Sequence, residues 1–268
     1  MRSLLLLTGL LLSTGTGAIV IRDDVEDAEY RVSATEFPAL VDLPDEGHGV
    51  LVSDRWVVTA AHAVTWQMPV KQVVINGLGR TVERVVVHPG YAKPPQALLD
   101  QSLQTWDWTL FRAALSASAD IALIRLAEPV SDVTPMTLHA QGDEFGRLLQ
   151  VVGKGATGTG AEGYAFHSPR RTELRRAYNR VSSTHGGWFC YAFDVPAQAL
   201  PLEGSSGSGD SGGPVLINTD SGWRLAGLTS WVDAQSTVRR PGRYGQVSCN
   251  VRLSHYRDWI DRVMEGAH

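Results

Sequence analysis

Gly209-Asp210-Ser211-Gly212-Gly213-Pro214 sets a serine in a run of glycines. A nucleophilic hydroxyl needs a tight, exposed turn and unobstructed backbone N–H groups nearby to receive a developing oxyanion. Glycines on both sides leave that backbone bare. Taken alone, such a stretch is also an ordinary surface turn.

Two further motifs lie upstream. Thr59-Ala60-Ala61-His62 follows the apolar run at 55–58, so the imidazole stands at a strand end in a small-residue turn. Asp120-Ile121-Ala122-Leu123-Ile124 puts a carboxylate at the head of an otherwise apolar strand. A partly buried carboxylate needs a donor, and an imidazole N–H supplies one. A lone histidine is more often a surface or core residue, and a lone aspartate more often caps a turn. The three together, ordered His, Asp, Ser with separations of 58 and 91 residues, point to nucleophilic acyl transfer. An α/β-hydrolase would need G-x-S-x-G on a strand-to-helix elbow and the order Ser, Asp, His; here the order is His, Asp, Ser and the sequence around Ser211 is G-D-S-G-G.

These motifs resemble the chymotrypsin/trypsin-like serine protease family, and the resemblance runs over nearly all of residues 19–268. Trp56-Val57-Val58 precedes the histidine motif in the family manner, and His88-Pro89 matches a frequent strand end. Thr229-Ser230-Trp231 resembles the substrate-aligning strand, and Pro241-Gly242-Arg243-Tyr244 the wall behind the specificity pocket. The resemblance implies an all-β fold of two packed six-stranded Greek-key barrels with a C-terminal α-helix. It implies a secreted serine endopeptidase working through an acyl-enzyme. His62 would be the base and then the acid, Asp120 its orienting partner, and Ser211 the nucleophile. The N–H groups of Gly209 and Ser211 would form the oxyanion hole.

The same resemblance assigns Ser205, Ser206, Ser230, Trp231, Val232 and Gly242 to substrate binding. Ser205 would be a neutral pocket floor and Val232 would narrow the mouth, which disfavours tryptic specificity. Glu203 and Asp233 would make the pocket acidic only if the loop were shifted. Ile19 and Asp210 would form the activating amino-terminus–carboxylate pair. Departures from the family are specific. Gly47 and Ala63 replace a disulfide pair, Gly207 replaces a cysteine at the pocket rim, and Ile19-Val20-Ile21-Arg22 lacks two glycines. Gly153-Lys154-Gly155 stands where the family has G-W-G. A non-catalytic binding module on the same fold is the competing function, and three intact triad positions argue against it.

The remainder of the chain agrees with a β-rich domain. Short β-branched runs at 50–52, 55–59, 72–76, 81–87, 121–126, 150–152, 215–217 and 224–230 lie between turn residues. After Ser254, a plausible N-cap, apolar residues at Tyr256, Trp259, Ile260, Val263 and Met264 have helical spacing. Segments 92–119, 155–171 and 196–209 read as loop insertions, with a short helix conceivable in the first.

Residues 1–18 read as a signal peptide: Arg2, then leucine-rich stretches, then Thr16 and Ala18 at the −3 and −1 places of a cleavage site. An exported destination, extracellular or periplasmic, follows. It permits a disulfide between Cys190 and Cys249, which the family's strand order makes neighbours; two buried free thiols are the other reading. Net charge is −4, which argues against nucleic acid as the main partner. Arg170, Arg171, Arg175, Arg176 and Arg180 read as a solvated loop or helix face. No C-x-x-C or H-E-x-x-H spacing occurs, so neither metal nor cofactor is implied. The expected partner of a monomer without a membrane anchor is a protein or peptide substrate.

Overall fold

The computed structural model describes residues 19–66, 69–105, 107–165, 173–233 and 240–266. Residues 1–18, read above as a signal peptide, and the pair Arg170 and Arg171 lie outside these residues. The chain enters on β1 (Val20–Ile21) and then builds a closed barrel. Its strands are β2 (Leu40–Asp42), β3 (His48–Leu51), β4 (Trp56–Thr59), β5 (Gln72–Ile75), β6 (Leu78–Val87) and β7 (Ala122–Leu126), in the order β2-β3-β4-β7-β6-β5. Helix α1 (Ala61–Thr65) follows β4, and α2 (Gln96–Thr105) and α3 (Thr109–Ser116) occupy the 92–119 insertion. That insertion therefore carries two helices rather than one short one.

The second half contains β8 (Leu148–Gly153), β9 (Gly158–Thr159), β10 (Arg175–Arg180), β11 (Ser183–His185), β12 (Trp188–Ala192) and β13 (Gly204–Ser205). It continues through β14 (Pro214–Thr219), β15 (Gly222–Asp233), β16 (Val247–Arg252) and α4 (Arg257–Met264). Seven of these strands form one sheet, β10-β8-β14-β15-β16-β12-β11. The two-barrel architecture holds, with seven strands in the second sheet where six were expected. Strand β1 joins neither large sheet. It lies between β13 and β9, with Val20 opposite both Ser205 and Gly158.

Burial explains the partition. Trp56, Val57, Val58 and Thr59 are all buried because β4 is covered on both faces. One face fills the barrel with Val41, Leu51, Val57, Ile75, Ile124 and their neighbours. The other, with Trp56, Val58, Ile121 and Leu123, packs against Val152, Leu216 and Leu228 of the second sheet and against Trp259 and Ile260 of α4. The site lies along this seam.

Cys190 and Cys249 sit directly opposite on β12 and β16 and form a disulfide, with Cα atoms 4.2 Å apart. Two sequence readings are corrected. Arg175 is not on a solvated loop or helix: it lies in β10, fully buried, with Nε and Nη2 each 2.7 Å from the Asp27 carboxylate. Ser254 does not cap α4, whose N-cap is Tyr256. Its hydroxyl instead donates to the buried Glu144, which also receives Arg252. No helix among the described residues is long and apolar enough to cross a membrane.

Candidate active site

His62 is the second residue of α1, held where β4 ends at the seam. Its backbone N–H donates to Asp120 Oδ1 at 2.8 Å, and its Nδ1 lies 2.7 Å from Asp120 Oδ2. Asp120 stands two residues before β7, 5 % exposed. Ser230 Oγ adds a third donor to Oδ2 at 2.5 Å. A carboxylate accepts only, so Nδ1 carries the proton and the Nε2 lone pair is left toward the cleft. Burial alone would raise the Asp120 pKa; the charge and hydrogen bonds of His62 and the Ser230 hydroxyl outweigh it and hold the carboxyl below its ordinary value. Burial likewise works against a charged His62, but the Asp120 carboxylate overrides it and raises the imidazole above its ordinary value.

The serine turn is stitched to the same seam from both sides. Ser211 O accepts from His48 N at 2.7 Å, and Gly212 N donates to Thr229 O at 2.7 Å, one residue before Ser230. Gly212 holds φ at 74°, and a Cβ there would come within 2.2 Å of His48 O and 2.3 Å of Thr59 Oγ1. Only glycine lets the turn close against the strand that leads to His62. The hydroxyl of Ser211 forms no hydrogen bond to His62 among the described residues, a separation common before substrate tightens such a site. The amides of Gly209 and Ser211 have no acceptor among the described residues either. Gly209 holds φ at 93°, which keeps its N–H free of the turn's own bonding.

Asp210 points the other way, into the protein, and is fully buried. Oδ1 accepts from Gly155 N at 2.7 Å and Oδ2 from Gly207 N at 2.8 Å. No cationic side chain among the described residues lies within ion-pair distance of it. Burial pushes its pKa up despite these donors and the field of His48. Ile19, also fully buried, holds φ at 66°, a region that a β-branched residue avoids.

Ser205 and Ser206 are buried behind the turn. Ser205 Oγ lies 2.7 Å from Ser248 Oγ, and Ser206 N donates to Tyr191 OH at 3.3 Å. Val232 and Trp231, both half-buried, pair with Ser248 and Cys249 across the ladder. Ser248 is the cross-strand partner of Val232. Gly242 lies before β16, where a Cβ would meet Tyr164 and Val20. Both oxygens of Glu203 are taken by the amides of Asp194 and Leu200, at 2.7 and 2.8 Å. Asp233 is taken by Arg112 of α3. Trp188 Nε1, donating to Ser116 O at 2.8 Å, fixes the end of the same helix beside the cleft.

Sequence reasoning missed Ser248, whose only signal is its place one residue before Cys249. It also missed the second imidazole–carboxylate contact, His48 Nδ1 to Asp42 Oδ1 at 3.1 Å, with Lys154 Nζ 2.9 Å from Asp42 Oδ2.

Comparison with known proteins gives three findings. A family model described as Trypsin matches residues 28–260. Transmembrane protease serine 11C of mouse is 24% identical over 225 residues, which are 78% of this chain and 46% of that protein. The chain thus spans about half the length of that curated relative. The solved structure of neuropsin, a serine protease expressed in the limbic system of mouse brain, superposes with a TM-score of 0.65 at 21% identity, covering 88% of this chain and 98% of that one.

Proposed function

The chain belongs to the Trypsin family, and from that premise we propose that it is an exported serine endopeptidase. The observation that carries the proposal is the double attachment of His62 to the buried Asp120, together with amides at Gly209 and Ser211 that have no acceptor among the described residues. Asp120 fixes the tautomer, so Nε2 takes the proton of Ser211 as Oγ attacks the scissile carbonyl carbon. The negative charge that develops on the carbonyl oxygen falls between the amides of Gly209 and Ser211. His62 then returns the proton to the leaving amine, which leaves an acyl-enzyme at Ser211. Water, deprotonated by the same Nε2, hydrolyses that ester and restores the serine.

The floor of the specificity pocket in this reading is the neutral Ser205–Ser248 hydroxyl pair, with Val232 at the mouth. Glu203 and Asp233 are engaged elsewhere, so no carboxylate remains to select arginine or lysine. A small or medium apolar side chain before the cut bond, such as Ala, Val or Leu, suits this pocket. The proposal extends to maturation by cleavage after Ala18. The φ torsion of Ile19 runs through the carbonyl of residue 18, so cutting that bond removes the steric conflict. It also frees an ammonium for Asp210, a buried carboxylate short of a cation.

The test is labelling with a fluorophosphonate probe together with peptide hydrolysis. Covalent labelling of the wild-type protein that is absent in Ser211→Ala supports the proposal. A folded protein that neither labels nor cuts a broad peptide library is the non-catalytic binding module instead.

A further inference from the structure

Asp42 and His48 face each other across the β2–β3 hairpin, register partners at its tip. From the first barrel the hairpin is connected to the nucleophile loop by two routes. One is Lys154, just past β8, whose ammonium lies 2.9 Å from Asp42 Oδ2 and whose chain neighbour Gly155 donates its amide to Asp210 Oδ1 at 2.7 Å. The other is His48, whose ring lies 3.1 Å from Asp42 Oδ1 and whose amide donates to Ser211 O at 2.7 Å. Thr59 Oγ1 grips the carbonyl of the same His48 at 2.6 Å. One carboxylate of the first barrel thus ends both chains of contacts that locate residues 210 and 211.

We infer that Asp42 is a positioning residue for the nucleophile, acting through Lys154 and His48 rather than on substrate. This inference rests on the reading of Ser211 as the nucleophile. Two observations support it. Gly47, in the same hairpin, lies against Ser211 O and Ala63, where a Cβ would stand 3.3 and 3.4 Å away. The hairpin tip is thus packed against both the nucleophile's carbonyl and the helix that carries His62. The carboxylate is also firmly ionised: burial would raise its pKa, but His48 and Lys154 outweigh that and bring it far below the ordinary range.

The length of the tie explains why it matters. The amides of Gly209 and Ser211 must sit within a fraction of an ångström of their productive positions around the developing oxyanion, and a misplacement near 1 Å costs roughly 100-fold. The experiment compares Asp42→Asn, Lys154→Met, the double variant and Lys154→Arg by steady-state kinetics and by the rate of fluorophosphonate labelling, well below each thermal midpoint. Expected are a fall in kcat and labelling rate of roughly 10- to 100-fold in each single variant, with KM changed little. The double variant is no slower than the slower single one, and Lys154→Arg recovers most of the rate. If Asp42→Asn fails to fold, the half-exposed Lys154 still decides through Lys154→Met. A kcat within twofold of wild type in folded Lys154→Met, or losses that multiply in the double variant, overturns the inference. A wild-type protein that does not label at all defeats the nucleophile assignment instead.

Discussion

His62 meets Asp120 through two atoms at once, its backbone N–H at 2.8 Å and its ring Nδ1 at 2.7 Å. The first contact places the residue and the second fixes its tautomer. Ser211→Ala or His62→Ala should therefore lower peptide hydrolysis by roughly 10⁴-fold or more while leaving the fold intact. Circular dichroism and a progress curve on one peptide check both parts. Near wild-type turnover in a folded Ser211→Ala protein would sink the mechanism.

The charge of Asp120 raises the His62 pKa, and only neutral imidazole accepts the serine proton. Activity should therefore fall on the acid side at a pH above the ordinary histidine value. In Asp120→Asn the raising charge is gone, so the acid limb moves to lower pH while the plateau drops by about 10⁴. A pH profile of kcat/KM decides, and an unmoved limb rejects the coupling.

Asp210 is buried with amide donors alone, its pKa raised by that burial. An ammonium at Ile19 would relieve it. Asp210→Asn, or one extra residue before Ile19, should cost most of the activity. The intact mass of the exported protein is the direct check: a mature chain that starts anywhere other than Ile19 contradicts the pairing.

The Cys190–Cys249 bridge closes a separation of 59 residues. Chain entropy over such a loop corresponds to about 4 kcal/mol in the unfolded-state model. Thiol titration of the denatured, unreduced protein should find no free thiol. Cys190→Ser/Cys249→Ser should lower the thermal midpoint by roughly 10 °C, at about 2–4 °C per kcal/mol for a chain of this size. Two free thiols would end the assignment.

With Ser205 and Ser248 as floor, matched peptides differing only at the residue before the cut should favour Ala, Val and Leu. Initial rates on such a series are the measurement. Faster cleavage after Arg or Lys would show that a carboxylate reaches the pocket after all.

The motifs around His62, Asp120 and Ser211 were legible because each sits in a short segment whose local backbone demands are strict. The strands were legible because β-branched runs buried on both faces leave an unbroken apolar signature, as at Trp56–Thr59. What escaped was set by partners far away. Arg175 is buried because Asp27, 148 positions earlier, receives it. Ser254 turns from helix capping to Glu144, 110 positions distant. Ser248 comes beside Val232 only through the register of β15 on β16, which no local motif announces.

Strand β1 has one further consequence, for the order in which the molecule assembles. Val20 and Ile21 precede the whole first barrel in the chain, yet their partners are Gly158–Thr159 and Gly204–Ser205. Pairings so distant in the chain close late, because loop closure must precede any reward from contact. A nascent chain cut short before Gly204 can complete the first barrel, whose last strand ends at Leu126, but leaves the start of the chain undocked. The proposed floor at Ser205 is thus finished only when Val20–Ile21, Gly158–Thr159 and Gly204–Ser205 are all present. A product that stops before Gly204 would be a folded half without that pocket, which delays proteolytic competence until the second half has been made.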